Sequence, residues 1–168
     1  MNFLQFLKEN IVLLDGGMGT LLQRKGLSAG ELPERWNISH PDVITDIHRA
    51  YLEAGSNVIS TNTFGANSLK FSDAELDEII AASVENARRA IALSGKTDAY
   101  VALDIGPSGK MLRPYGDLDF EDAVELFSKM GAEGQTEHAE NGITRKWEAG
   151  DVSPSLLRMI VPVCGSVM

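Results

Sequence analysis

One pattern recurs three times along this chain and constrains its fold: an apolar run, then polar or acidic residues, then an amphipathic helix. The apolar runs predict strands at Ile11–Leu14, Asn57–Thr63 and Tyr100–Leu103. Four consecutive apolar residues, as at Ile11–Leu14, are typical of a parallel strand buried on both faces. Because strand and helix alternate, the pattern predicts an α/β fold with a parallel sheet and right-handed crossovers.

Helices are predicted where apolar residues recur at spacings of three and four. The main ones are expected at Asp42–Ala54, Leu76–Ser94 and Phe120–Met130, with shorter ones at Asn2–Asn10 and Thr20–Lys25. Gly55 and Gly95 are expected to end the helices before them. The proline-containing segment Leu27–Pro41 predicts a long connection or lid across a functional face.

Polar residues follow each predicted strand at its carboxyl end, which is where α/β proteins bind ligands. Asp15 leads into the glycine-rich turn GGMG, where residues without a Cβ are expected to allow positive φ or close approach of a ligand. Asn62 and Thr63 end the second strand, and Asp104 follows the third. One polar rim is typical of a (β/α)8 barrel, so a partial barrel of about three βα units is the predicted architecture.

Composition excludes several classes of partner. The chain has 168 residues, 43% of them hydrophobic, and a net charge of −9, which disfavours nucleic acid and anionic membrane and favours a small-molecule partner. The sequence contains no apparent signal peptide or membrane span, which predicts a cytoplasmic location. Its single cysteine, Cys164, excludes an internal disulfide and leaves no cysteine cluster for a metal.

The alternation stops after Met130. Residues 131–168 show no clear helix, and only Leu156–Val163 is apolar enough for a strand, although it contains Pro162. A closed eight-stranded barrel takes about 250 residues. We therefore expect residues 1–130 to form the amino-terminal part of a barrel and residues 131–168 to be an unassigned tail that is non-native or frameshifted.

Three ordered motifs carry a resemblance to a known family. They are LLDGGMGTLLQRKG, ELPERWNISHPDVITDIHRAYLEAGSNVISTNTFGAN and VALDIGPSGKMLRPYG. Over about residues 8–130 the chain resembles the homocysteine S-methyltransferases, and within that family it is similar to the amino-terminal, homocysteine-binding barrel of cobalamin-dependent methionine synthases. The resemblance implies a (β/α)8 barrel that transfers a methyl group to the sulfur of homocysteine.

The resemblance also implies roles for individual residues. Asp15 matches the acid that helps to hold the homocysteine ammonium group, and Gly16, Gly17 and Met18 match the turn facing the amino-acid end of the substrate. Asn62, Thr63 and Asp104 match residues of the same rim. From the sequence alone, Asp15 could instead cap the following helical turn, Asp104 could hydrogen-bond its own loop, and Asn62 and Thr63 could brace neighbouring loops.

Zinc held by three cysteine thiolates is the cofactor that the resemblance implies, together with cobalamin in full-length methionine synthases. None of those cysteine motifs occurs here, and Cys164, even with His138, is too few ligands for a tetrahedral site. The expectation is therefore an incomplete, inactive homocysteine S-methyltransferase chain without catalytic or metal residues. Its expected partners are homocysteine and the cobalamin- and folate-binding modules of a parent enzyme. The alternative is a non-catalytic half-barrel that binds or self-assembles through exposed sheet edges.

Overall fold

The computed structural model describes residues 3–138 of the chain. Its α-helices are α1 (Phe3–Glu9), α2 (Met18–Arg24), α3 (Trp36–Ser39), α4 (Pro41–Glu53), α5 (Asp73–Ser94) and α6 (Phe120–His138). Its strands are β1 (Val58–Ser60) and β2 (Tyr100–Ala102), and a 3-10 turn spans Pro33–Arg35. No helix in this part of the chain is long and apolar enough to cross a membrane.

The sheet is parallel, as the alternation predicts. β1 and β2 pair in the register Val58 with Tyr100 and Ser60 with Ala102, joined by helix α5. Leu14 adds a single parallel bridge to Val58 on the other side of β1. The described residues are therefore a mixed α/β unit whose two-stranded parallel sheet is extended by the Leu14 bridge. Helix α1 packs its Phe6 ring 5.5 Å from Tyr100 at the amino end of β2.

The prediction of a doubly buried first strand at Ile11–Leu14 is wrong for the described part of the chain. Only Leu14 has a ladder partner, and the exposed fractions are 87% for Ile11, 52% for Leu13 and 67% for Leu14. The backbone of Leu13 is bound to Asn57 and Val58 along one edge. The apolar side chains are exposed because nothing within residues 3–138 packs over them.

The core lies between the helices and one side of the sheet. The largest helix contact joins α4 to α5, and α5 buries Leu76, Ile79 and Ile80 with 0–1% exposure. Ser72 caps α5 by accepting a hydrogen bond from Glu75 N. Gly95, at φ +68°, ends α5 in the left-handed conformation that glycine adopts without strain, which confirms its predicted role.

Two predicted boundaries differ from the structure. Leu27–Pro41 is not simply a loop, because its second half forms the 3-10 turn and α3, and Trp36 is 4% exposed in a core cluster with Leu22 and Ile44. Helix α6 continues past the predicted end at Met130 to His138. The helix includes Gly131, and a glycine inside a helix costs only about 1 kcal/mol relative to alanine. Residues 139–168, including Trp147, Leu156–Val163 and Cys164, lie outside the described residues.

Candidate functional site

A cavity of about 390 Å³ opens at the carboxyl ends of β1 and β2. This volume is at the lower end of the roughly 300–1,000 Å³ typical of small-molecule sites. Six of the seven predicted site residues line it: Asp15, Gly16, Gly17, Met18, Asn62 and Asp104. The other lining residues are Leu14, Gly19, Pro33, Glu34, Ser60, Thr61 and Phe64.

Asp15 is held against the end of β1. Its Oδ2 accepts a hydrogen bond from Ser60 N at 2.8 Å, and its Oδ1 accepts one from Ser60 Oγ at 3.0 Å. Burial raises the pKa of Asp15 above its ordinary value, and the two Ser60 hydrogen bonds oppose that rise. Helix α2 has Gly17 at its N-cap with no side-chain cap, so Asp15 is not the capping residue.

Asp104 enters the cavity from the residues after β2. Its backbone N–H donates to Thr61 Oγ1 at 3.0 Å, and its carbonyl accepts from Thr63 Oγ1 at 2.7 Å. Within residues 3–138 no hydrogen bond reaches its carboxylate, so the side chain does not brace the loop. Burial raises the pKa of Asp104, and the negative charge of Asp15 raises it further. The two carboxylates therefore create a negative potential that favours a cation in the cavity.

The glycine-rich turn achieves its shape without the expected positive φ. Gly16, Gly17 and Gly19 are absent from the positive-φ glycines of the described chain. Gly16 instead leaves room for a neighbouring side chain, because a Cβ there would lie 2.9 Å from the hydroxyl oxygen of Tyr51. Gly17 and Met18 begin helix α2 and present this turn to the cavity.

Asn62 and Thr63 connect the loops around the cavity. Asn62 Nδ2 donates to the carbonyl of Pro33 at 2.7 Å. Thr63 is fully buried and bonds to Thr61 Oγ1 as well as to the Asp104 carbonyl, so it lies beneath the cavity and is not among its lining residues. Both side chains thus make the bracing contacts that were the alternative interpretation, while Asn62 also faces the cavity.

Sequence reasoning did not single out Glu34 or Ser60. Ser60 is the β1 residue that anchors both oxygens of Asp15. Glu34 is a carboxylate with 4% exposure on the 3-10 turn. A glutamate in a loop has no periodic signal, so the only hint in the sequence was its position between two prolines in a segment predicted to cross a functional face.

Two histidines of the described chain differ in environment. His40 is exposed and stacks on Trp36 with ring centroids 4.2 Å apart. His48 is fully buried on α4, and neither ring nitrogen has a hydrogen-bond partner within the described chain. Burial lowers its pKa from 6.5 to about 4, so the ring is neutral at neutral pH.

The described residues do not fit the zinc site that the resemblance implies. Residues 3–138 contain no cysteine, and they contain no group of three or more His, Cys, Asp or Glu side chains placed to hold a metal ion. Asp15 and Asp104 are hard oxygen donors, whereas the implied site uses soft thiolates. No reaction step is therefore assigned to a metal in this part of the chain.

A parallel β-α-β arrangement with a cavity at the strand ends is the arrangement in which α/β proteins bind small molecules. The family model for homocysteine S-methyltransferase matches residues 12–141. The chain belongs to the homocysteine S-methyltransferase family.

Solved structures share the fold. The metallated form of the homocysteine methyltransferase MmuM from Escherichia coli is 22% identical, with a TM-score of 0.66 over 79% of this chain and 53% of that one. Its oxidised form is 21% identical, with a TM-score of 0.65 over 78% of this chain and 51% of that one. Its apo form is 23% identical, with a TM-score of 0.59 over 78% of this chain and 48% of that one. The chain thus spans about half the length of these proteins.

Proposed function

We propose that the cavity binds the amino-acid end of homocysteine and that this chain contributes the substrate-gripping part of a homocysteine S-methyltransferase. The observation that supports this proposal most directly is the pair of carboxyl groups of Asp15 and Asp104. Both carboxyl groups line one cavity, and both have pKa values raised by burial. An ammonium group placed between them would relieve their repulsion and form charge-assisted hydrogen bonds.

The turn of Gly16, Gly17 and Met18 would lie along the amino-acid end of the substrate, with Asn62 and Thr63 holding the rim in place. In the reaction, the sulfur of homocysteine forms a bond to the methyl carbon, the methyl group leaves its donor, and the thiol proton is lost. The described residues supply binding and orientation of the substrate, which is the part of catalysis that depends on position.

We also propose that the described α/β unit is the amino-terminal part of a (β/α)8 barrel. The parallel strands, their polar carboxyl ends and the coverage of about half of the solved relatives support this. We place the end of this part near the end of α6 rather than at residue 130, because the family match runs to residue 141. The resemblance of the motifs to methionine synthases favours methylcobalamin as donor, with cobalamin- and folate-binding modules as partners.

Isothermal titration of the full chain with L-homocysteine tests the binding proposal. Asp15→Asn should weaken binding by about tenfold or more, equivalent to about 1.4 kcal/mol, because the amide removes a charge from the ammonium site. Asp77→Asn is the matched control, since Asp77 is exposed on α5, and it should leave the affinity unchanged. Absence of homocysteine binding by the wild-type chain would reject the proposed function.

A second candidate function, self-association, is favoured by the exposed apolar segment at Ile11–Leu14. An unpaired strand edge with exposed apolar side chains can pair with another chain. Sedimentation equilibrium should then show a dimer or larger assembly that Ile11→Lys converts to monomer. Leu93→Lys is the control, because Leu93 is an exposed leucine near the end of α5. A wild-type chain that stays monomeric at high concentration would reject this candidate.

A further inference from the structure

Glu34 is a buried carboxylate at the cavity to which the motifs assign no role. It belongs to the 3-10 turn Pro33–Arg35, is 4% exposed and lines the same cavity as Asp15 and Asp104. Burial of an ionisable side chain is costly unless each oxygen finds a partner. The partners of its two oxygens therefore indicate what it does.

One carboxylate oxygen of Glu34 has a hydrogen-bond partner within the fold. Oε1 accepts a hydrogen bond from Gly65 N at 2.7 Å. A Cβ at Gly65 would collide with this carboxyl group, so only glycine allows the contact. The side chain is thereby fixed against the loop that follows β1.

The backbone around Glu34 is fixed as well. Asn37 Nδ2 donates to the carbonyls of Glu34 at 2.9 Å and Asn62 at 2.8 Å. Asn62 Nδ2 donates in turn to the carbonyl of Pro33 at 2.7 Å. These contacts join the 3-10 turn to the cavity rim and fix the backbone that carries the carboxylate.

The second oxygen, Oε2, is buried and has no hydrogen-bond partner within residues 3–138. An unsatisfied buried acceptor destabilises the fold, and more so when it is charged. Lys70 lies nearby, because a Cβ placed on Gly65 would contact its Nζ as well as the Glu34 carboxyl group. Among the salt bridges of the described residues, none joins Lys70 to Glu34. A rigid, unpartnered acceptor at a cavity is suited to a donor on a ligand.

We propose that Glu34 Oε2 accepts a hydrogen bond from the ammonium group of the substrate and so selects amino-bearing thiols over thiols that lack the amino group. This inference rests on the proposed function of the cavity. An ammonium group has three N–H donors, and Asp15, Asp104 and Glu34 offer three carboxylates around one cavity. A ligand without the amino group leaves Oε2 unpaired and gains nothing from Glu34.

Titration calorimetry of the full chain with L-homocysteine and with 4-mercaptobutanoate, which lacks the amino group, tests this role. Glu34→Gln keeps an oxygen that can accept from Gly65 N and removes the charge. It should weaken homocysteine binding at least tenfold and change 4-mercaptobutanoate binding less than twofold. Glu78→Gln, at an exposed position on α5, is the matched control and should change neither affinity.

A second variant keeps the test informative if Glu34→Gln folds poorly by circular dichroism. Gly65→Ala displaces the carboxyl group without changing any charge, and it should reduce the preference for homocysteine over 4-mercaptobutanoate in the same direction. Wild-type selectivity in Glu34→Gln, or an equal loss for both ligands, would overturn the inference while leaving the proposed function intact. A wild-type chain that does not bind homocysteine would overturn both.

Discussion

At the scale of single residues, burial of ionisable groups dominates the chemistry of this chain. Asp15 and Asp104 share the cavity and have raised pKa values, whereas His48 has a lowered one. These shifts have one cause, because removal from water disfavours the charged form of any group. They predict pH effects of opposite sign in acids and in histidine.

Homocysteine binding should release protons in mildly acidic solution. In the free chain the pKa values of the Asp15 and Asp104 carboxyl groups lie above the ordinary value of 3.8. A bound ammonium group stabilises the ionised form, so the apparent affinity should fall as pH decreases from neutral toward the raised pKa values. Calorimetry in buffers of different ionisation enthalpy measures the released protons, and an affinity that rises on acidification would contradict the assignment.

His48 should make the fold sensitive to acid. Its pKa is about 4 in the folded chain against 6.5 ordinarily, so between these values the unfolded chain binds more protons. The free energy of unfolding should therefore fall as pH decreases from 6.5 to about 4, by about 3 kcal/mol. Asp15 and Asp104 act in the opposite direction, since their raised pKa values reduce stability as pH rises.

Urea denaturation at several pH values isolates the histidine contribution. His48→Leu should flatten the acid limb of the stability profile, because leucine fills the site without a titrating group. His40→Gln is the control at an exposed position and should keep the wild-type slope. An unchanged slope in His48→Leu would show that another group is responsible.

At the scale of elements, local signals determined the long helices and failed at the short ones. Helix α5 begins with a Ser72 cap and ends at Gly95, so both termini carry a residue type suited to the position. The 3-10 turn and α3 carry no apolar periodicity. They form because Asn37 donates a hydrogen bond to the carbonyl of Asn62 and Trp36 packs in a core cluster with Leu22 and Ile44, and a local pattern does not contain these tertiary contacts.

Removal of the cap should destabilise α5 modestly. Ser72→Ala deletes the acceptor for Glu75 N, a long contact at 3.4 Å, so the free energy of unfolding should fall by about 0.5–1 kcal/mol. Thermal and urea unfolding followed by circular dichroism measure the change. Ser68→Ala, at an exposed loop position, should have little effect, and equal effects of the two substitutions would argue against capping.

At the scale of the whole molecule, the described unit buries one side of its sheet and exposes the first apolar segment. Ile79 is 0% exposed inside the helix layer, whereas Ile11 is 87% exposed. A comparison of substitutions at these two isoleucines therefore shows how much each apolar stretch contributes to the stability of the monomer. Their contrast depends on tertiary packing, because both belong to stretches that read as buried in the sequence.

Ile79→Ala should lower the free energy of unfolding by about 2–5 kcal/mol, as expected for a large-to-small change in a packed core. Ile11→Ala should cost less than about 0.5 kcal/mol in a monomeric sample, because little apolar surface is buried there. Urea denaturation at a concentration where sedimentation shows monomer measures both. A comparable loss for Ile11→Ala would mean that the segment is covered in the folded chain.

The sequence by itself determined the α/β class, the parallel pairing, the three long helices and the grouping of six rim residues at one cavity. These follow from periodicity, from the rule that parallel strands end at the same edge and, for Met18, from the resemblance of its motif to the family. Only the tertiary structure decided that Asp15 is anchored by Ser60, that Gly16 makes room for Tyr51, that Thr63 lies beneath the rim and that Glu34 faces the cavity. The physical reason is that these contacts join residues far apart in the chain. The shortest separation among them, between Glu34 and Gly65, is 31 positions.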